Sequence, residues 1–515
     1  RFQVSEVRKT MLASAVALLL CMAPARALPK SGFGRMVMRF APRPDEEEEP
    51  AAAAPVKKNR RAERETVLES AEKVTVSSEY HYYFTQRLDH FDGSNGETYL
   101  QRFFVNSSFF DGSGPVFLCV GGEGPALDAT VLYDSVHCSD MTELAPSVGA
   151  LTFALEHRYY GASVPTASRQ FLSSQQAVAD IGAFVAQMNE VYSLDAATNK
   201  WVTFGGSYPG MVAGFARLKL PHLVHAAVSS SSPWRAVVDM PQYNDLVGNA
   251  LSLASVGGSE ECLDIVREGH AKIGELFATN QSELVAKTFN FCDPSDLSSE
   301  AAQRNFAGYG TISVDAQDND PANEAPCGNI ETICKALVAA DGDNVQKLAA
   351  VSAVQSGNRC LATFTSDLFA AENALSDALS WPYQTCTQFG FYQTCEVGSQ
   401  CPWTQGYVTL EDELSLCSSA FGISPDQVAD NVEFSNRFYG SDAPAITRTF
   451  FANGDVDPWS GLGVHASPDP SDVVLLVSGS SHHAWTHPDA SIVQDSVKQA
   501  KLTIQQQVLA WLDED

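Results

Sequence analysis

A serine, an aspartate and a histidine, each placed just after an apolar run, carry the strongest chemical signal in this sequence. Ser207 lies in Phe204-Gly205-Gly206-Ser207-Tyr208-Pro209-Gly210, a strand-like run, a glycine turn, a serine and then a helical pattern. A serine on so sharp a strand-to-helix turn needs small neighbours, because its backbone is strained and closely packed. The helix N-terminus behind it favours developing negative charge. The usual spacing is G-x-S-x-G, whereas here Pro209 takes the last position and Gly210 follows. The first helical turn tolerates this, since the missing proline N–H is no loss there. Asp457 lies in Asn453-Gly454-Asp455-Val456-Asp457-Pro458-Trp459, after a run ending at Ala452, with Asp455 as its competitor. His482 lies in Ser478-Gly479-Ser480-Ser481-His482-His483, after a run ending at Val477, with His483 as its competitor. Such a set performs acyl transfer: the histidine takes the serine proton, and the aspartate orients and stabilises the imidazolium. The oxyanion needs two donors. The Tyr208 N–H is one, and the Gly121-Gly122-Glu123-Gly124 turn, with Gly122 as the candidate, supplies the other.

Positioning these groups requires a sheet with its strand ends at one edge. Strands are expected at 115–120, 150–155, 201–204 and 223–228, with helices at 175–190 and 211–220 between them. This alternation implies a parallel sheet covered by helices. The pattern returns with strands at 448–452 and 473–477 and a closing helix carrying Val493, Val497, Ile504, Val508 and Trp511. Serine, aspartate and histidine then follow strands in the chain order of α/β-hydrolases. The fold class is α/β, an α/β-hydrolase sheet with a large helical, disulfide-containing cap insertion. Residues 76–235 and 441–515 form the two parts of the sheet domain. Residues 236–440, helix-leaning and cysteine-rich, form the cap. Residues 28–75 lack apolar periodicity and read as a disordered or pro-segment.

Residues 1–27 hold a basic pair (Arg8, Lys9), the apolar run Met11 to Met22 and Ala25-Arg26-Ala27, the parts of a signal peptide. Met11 offers a start, which would put residues 1–10 upstream of it. A dozen apolar residues is too short to span a bilayer, so no stable membrane insertion is expected after signal removal. With 33 basic and 62 acidic residues the formal charge is −29, which repels nucleic acid. Of the twelve cysteines, Cys21 falls in the signal and Cys119, in an apolar run, reads as a free buried thiol. The other ten, from Cys138 to Cys417, lack paired zinc-hook spacing and imply disulfides in an oxidising compartment. Sequons at Asn106 and Asn280 would be glycosylated where exposed. No H-E-x-x-H, phosphate-binding loop or calcium-loop pattern is present, and Asp315 to Asn323 reads as a polar loop. No metal or other cofactor is expected.

The chain resembles the prolyl carboxypeptidase-like serine peptidases over about residues 80–512. Phe84-Thr85-Gln86-Arg87-Leu88-Asp89-His90-Phe91, Glu156-His157-Arg158-Tyr159-Tyr160-Gly161, the Ser207 turn, Asn453 to Trp459 and His482-His483 carry the likeness. The stretch from Trp381 to Tyr392 is most similar to the thymus-specific branch. The resemblance implies an exopeptidase of acidic vesicles or secretions that often cuts after proline. It favours His482 over His483 and Asp457 over Asp455, and it matches Trp459 and Met211 to positions lining a proline pocket. It leaves open carboxypeptidase or dipeptidyl peptidase action, and a homodimer. An ester or lipid hydrolase and a catalytically inactive binding homologue are the competing readings.

Overall fold

The computed structural model describes residues 74–76, 81–166, 168–323, 325–362 and 379–514. The signal-peptide expectation and nearly all of the 28–75 segment lie outside them. Val74–Val76 (β1) pairs antiparallel with Tyr82–Arg87 (β2), so the expected boundary at residue 75 falls inside a strand. Thr98–Asn106 (β3), Val116–Val120 (β4), Leu151–Leu155 (β5), Trp201–Gly206 (β6) and Ala226–Ser230 (β7) follow. Thr449–Gly454 (β10) and Val473–Val477 (β11) complete a nine-stranded sheet of order β1-β2-β3-β5-β4-β6-β7-β10-β11. Pairing is antiparallel from β1 to β5 and parallel from β5 to β11.

The central strands read as unbroken apolar runs because both faces are covered, as parallel sheets require. In β4, Val116, Leu118 and Val120 enter one core with Ser174–Tyr192 (α2), while Phe117 and Cys119 enter the other with Ser139–Val148 (α1). The helix after β6 is Ser207–Lys219 (α3), starting four residues earlier than the apolar pattern suggests because the serine itself opens it. The strand expected at 223–228 lies at 226–230, since residues 221–223 are taken up by a turn after α3.

Between β7 and β10 the chain is mainly helical, with a small parallel pair, Val237–Asp239 (β8) and Gly390–Tyr392 (β9). Its framework is Glu260–Ala278 (α4), Ile330–Ala339 (α5) and Asn344–Gln355 (α6), followed by Pro425–Tyr439 (α7). The closing helix is Asp495–Asp513 (α8), which buries Val497, Ile504, Val508 and Trp511. Val493 lies before it and is exposed, so it does not belong to the apolar stripe.

The disulfides correct one expectation. Cys119 is bonded to Cys138, because its inward side chain on β4 meets the residue that starts α1. Cys262–Cys334, Cys292–Cys360, Cys386–Cys417 and Cys395–Cys401 are the other pairs seen among the described residues. The first two close loops of 72 and 68 residues. Each such closure is worth about 4 kcal/mol in the chain-entropy view. Reductant should therefore lower the melting temperature, and an unchanged melting curve with the thiols shown to be free would contradict this.

The sequons separate by exposure. Asn106 is 6% exposed and its Oδ1 accepts the Ser108 N–H, whereas Asn280 is exposed at a turn. Protein made in a secretory host should lose one glycan on glycosidase treatment, and Asn280→Gln should abolish that mass shift. A shift that survives this substitution would place a glycan at Asn106.

Candidate active site

Ser207 follows β6 directly as the first residue of α3, with φ of +62°, a left-handed conformation that costs a residue with a Cβ about 1 kcal/mol or more. The turn is closed by contact. A Cβ on Gly206 would lie 2.7 Å from the His483 ring, so this position admits only glycine and His483 is packed against the turn.

Asp457 and His482 are both buried, at 0% and 3% exposure, with Oδ2 of the aspartate 2.8 Å from Nδ1 of the histidine. The other oxygen, Oδ1, accepts the Trp459 N–H at 2.9 Å, which fixes the rotation of the carboxylate. A carboxylate only accepts, so Nδ1 carries a proton, and in the neutral imidazole the lone pair is on Nε2. That Nε2 is buried and has no hydrogen-bond partner. The two competitors have different surroundings. Asp455 holds a loop, accepting from the Gly479 N–H at 2.6 Å and the Ser478 hydroxyl at 3.1 Å. His483 donates its N–H to Ser231 Oγ and pairs through Nδ1 with Thr486 Oγ1, and burial pushes its imidazole well below the ordinary value.

Tyr208, at the first turn of α3, is 1% exposed and firmly held. His157 directs Nδ1 at the Arg158 carbonyl (2.7 Å), so Nδ1 donates and Nε2 accepts the Tyr208 hydroxyl proton at 2.9 Å. Gln384 donates to the same hydroxyl at 2.8 Å. Burial pushes His157 down to about 4, which keeps this neutral form over a wide pH range. Arg158 in turn is locked by two bonds to Asp180, which also takes His90 and Tyr99. The similar segments around His90 and Arg158 thus meet at one buried carboxylate.

In the Gly121–Gly124 turn, the Gly121 N–H is spent on the Leu155 carbonyl at 2.9 Å, which removes it as an oxyanion donor. Gly122 packs directly on the unusual proline: a Cβ there would lie 2.2 Å from Pro209 Cγ. Gly122→Ala should therefore push the turn off the site and lower kcat by about a hundredfold, with KM little changed. Wild-type kcat in that variant would show that the turn plays no part.

Of the two suggested pocket residues, Met211 is fully buried in the main core, whereas Trp459 keeps 9% exposure. Trp459 belongs to an arc of rings. Tyr208 touches Phe389, Phe389 stacks on Phe391, and Phe391 meets Trp459, whose centroid is 6.4 Å from His482. Tyr243 flanks Trp459 at 5.4 Å. Phe389 and Phe391 lie in a stretch that the family likeness already singles out, but Tyr243 and the polar-loop residue Gln317 gave no signal.

Two buried carboxyls, Glu123 in the Gly121–Gly124 turn and Asp140 in α1, each keep one oxygen without a partner, and burial pushes both up to about 7. Unfolding returns them to ordinary values, 4.5 and 3.8. Between those values and about 7 these two groups hold protons in the folded chain that the unfolded chain has released, so their contribution is full in acid and is lost as pH rises through this window, whereas the buried imidazoles of His157 and His483, pushed down, contribute in the opposite sense. Measured from mild acid to above neutrality, the melting temperature of Glu123→Gln should therefore fall less, or rise more, than that of the wild type. An unaltered pH slope in that variant would show that Glu123 does not titrate this way.

A family profile described as serine carboxypeptidase S28 matches residues 86–504. The thymus-specific serine protease of Mus musculus is 34% identical over 454 residues, covering 83% of this chain and 86% of that protein. Its Homo sapiens counterpart is 33% identical, covering 83% and 85%. The lysosomal Pro-X carboxypeptidase of Bos taurus is 23% identical over 428 residues, covering 78% and 81%. With an α/β-hydrolase sheet, a positive-φ serine between strand and helix, and a profile match over most of its length, the chain belongs to the S28 family of serine peptidases.

Proposed function

We propose that the chain is an exopeptidase that works through an acyl-enzyme on Ser207, with His482 as base and acid and Asp457 as its orienting carboxylate. The observation that carries this reading is the buried Asp457–His482 pair, whose Nε2 has no hydrogen-bond partner and whose histidine adjoins His483, the residue that packs on Gly206 of the Ser207 turn. His482 Nε2 takes the Ser207 Oγ proton as Oγ attacks the scissile carbonyl carbon. The N–H groups of Tyr208 and Gly122 hold the oxyanion, and the same imidazole returns the proton to the departing amine. Water then repeats the sequence: its proton goes to His482, its oxygen to the acyl carbon, and Ser207 is released with the proton back on Oγ.

Trp459, which keeps the most exposure of the aromatic arc, would offer an apolar indole face that suits a proline ring, and this supports post-proline cleavage. Residues 236–440 would act as the cap, with 76–235 and 441–515 as the two parts of the hydrolase domain. Disulfides and relatives named as lysosomal and extracellular peptidases support the secretory pathway and an acidic vesicle or the extracellular space.

A fluorophosphonate probe should label the wild type at Ser207. A mixed peptide library at acidic pH should show loss of single C-terminal residues or of N-terminal dipeptides, enriched for cuts after proline. Labelling at another residue, or internal cleavage only, would overturn this reading.

A further inference from the structure

The stretch that reads from sequence as a polar loop touches His482 directly and reaches Asp457 through Trp459. Gln317 does this with two different groups. Its main-chain carbonyl accepts the His482 N–H at 2.9 Å. Its side-chain Oε1 accepts the Trp459 indole N–H at 2.7 Å and the Tyr243 hydroxyl at 3.0 Å. Trp459 in turn donates its main-chain N–H to Asp457 Oδ1, and Asp457 Oδ2 meets His482 Nδ1. The contacts close a ring: Gln317 to Trp459, to Asp457, to His482, and back to Gln317.

Neither end of this ring is placed by its own segment alone. His482 follows β11 on a loop and Asp457 follows β10 on another; Asp455 and the Val456 N–H tie these two loops to each other, and Gln317 adds a hold from outside the sheet. The carbonyl of Gln317 sets the backbone height of the histidine. Its amide oxygen sets the indole that stands beside the imidazole and, through the same residue, the N–H that fixes the carboxylate rotation. The neighbouring Asp318 shows how near this loop comes: burial pushes its carboxyl well above the ordinary value, with the charges of Asp315 and Asp457 adding to the effect.

We infer that Gln317 is a positioning residue of the peptidase, tying the segment between β7 and β10 to the charge-relay pair so that His482 is aligned only when that segment is docked. The inference rests on the Ser207–His482–Asp457 reading. It requires an acceptor at the end of the side chain, not an amide as such. Leucine removes the acceptor at similar size, whereas glutamate keeps two acceptor oxygens and adds a negative charge close to the imidazole.

The test uses the full chain and one fluorophosphonate probe, alongside kcat and KM on one peptide across pH. Gln317→Leu should lower the labelling rate and kcat by about ten- to a hundredfold, the cost of a small misalignment, with KM changing far less. Gln317→Glu should recover most of the rate, and its charge should move the acidic limb of the kcat/KM profile to higher pH. Labelling of Gln317→Leu at the wild-type rate, or equal losses in both variants with an unmoved acidic limb, would overturn the inference. Should Gln317→Leu fail to fold, the Gln317→Glu profile decides: a shifted limb with retained turnover supports the role, and an unshifted one refutes it. A wild type that is not labelled at Ser207 would instead refute the catalytic reading on which this rests.

Discussion

Ser207→Ala is expected to lower kcat on a peptide substrate by about a million-fold and to abolish fluorophosphonate labelling, while the folded protein survives. The size follows from the role: without Oγ there is no acyl-enzyme, and what remains is whatever binding and the oxyanion donors achieve with water alone. The fold should not suffer, because the serine hydroxyl holds nothing together and the turn is set by Gly206, Pro209 and His483. Ser207→Gly makes a sharper pair. It should be equally inactive yet raise the melting temperature, because glycine adopts a φ of +62° without the penalty that a Cβ incurs. A Ser207→Ala protein that retains more than a trace of turnover would require a different nucleophile.

Asp457→Asn should cost about ten-thousandfold in kcat with the geometry left intact. The argument lies in the two bonds of the carboxylate. One oxygen is committed to the Trp459 N–H, a donor that cannot change its role. An asparagine must keep its carbonyl oxygen there, which turns its NH2 toward His482 Nδ1. Nδ1 then has to accept, the imidazole proton moves to Nε2, and the atom that should take the serine proton already bears one. Raising the pH should not restore the rate, since the fault is the tautomer and not the charge. Recovery at high pH would mean that Asp457 acts only through its charge, and that another contact orients the imidazole.

The sequence carried more of the site than of what holds it. Ser207, Asp457 and His482 are legible because each is a local event: an apolar run, a turn of small or polar residues, and one chemical group. The strands were legible for the same reason, since β4 and β5 are short unbroken apolar runs. What failed needed a partner from far along the chain. Cys119 reads as a buried thiol from its own run, and only the packing of α1 against β4 brings Cys138 to it across 19 residues. Gln317 lies among Asp315, Asp318 and Asp320, and such a polar stretch looks solvated until the fold sets it against Trp459. Val493 has the right type for the last apolar stripe but sits ahead of the residue where α8 begins. The Asp457 and His482 competitors were separable only by family likeness, because two aspartates two residues apart, or two adjacent histidines, satisfy the same local pattern.

The pairing of β7 with β10 sets the order in which the molecule can assemble. These strands are neighbours in the sheet, yet the entire helical segment lies between them in the chain. Their register can form only after that segment has been synthesised and compacted, and contacts of such long range are the slow ones in folding. During synthesis the serine turn exists long before the aspartate and histidine emerge. With the proposed triad incomplete, a newborn chain would be inert as a peptidase while it and its neighbours are still unfolded and most easily cut. Completion of the sheet acts as a delay on activity, written into the connectivity itself.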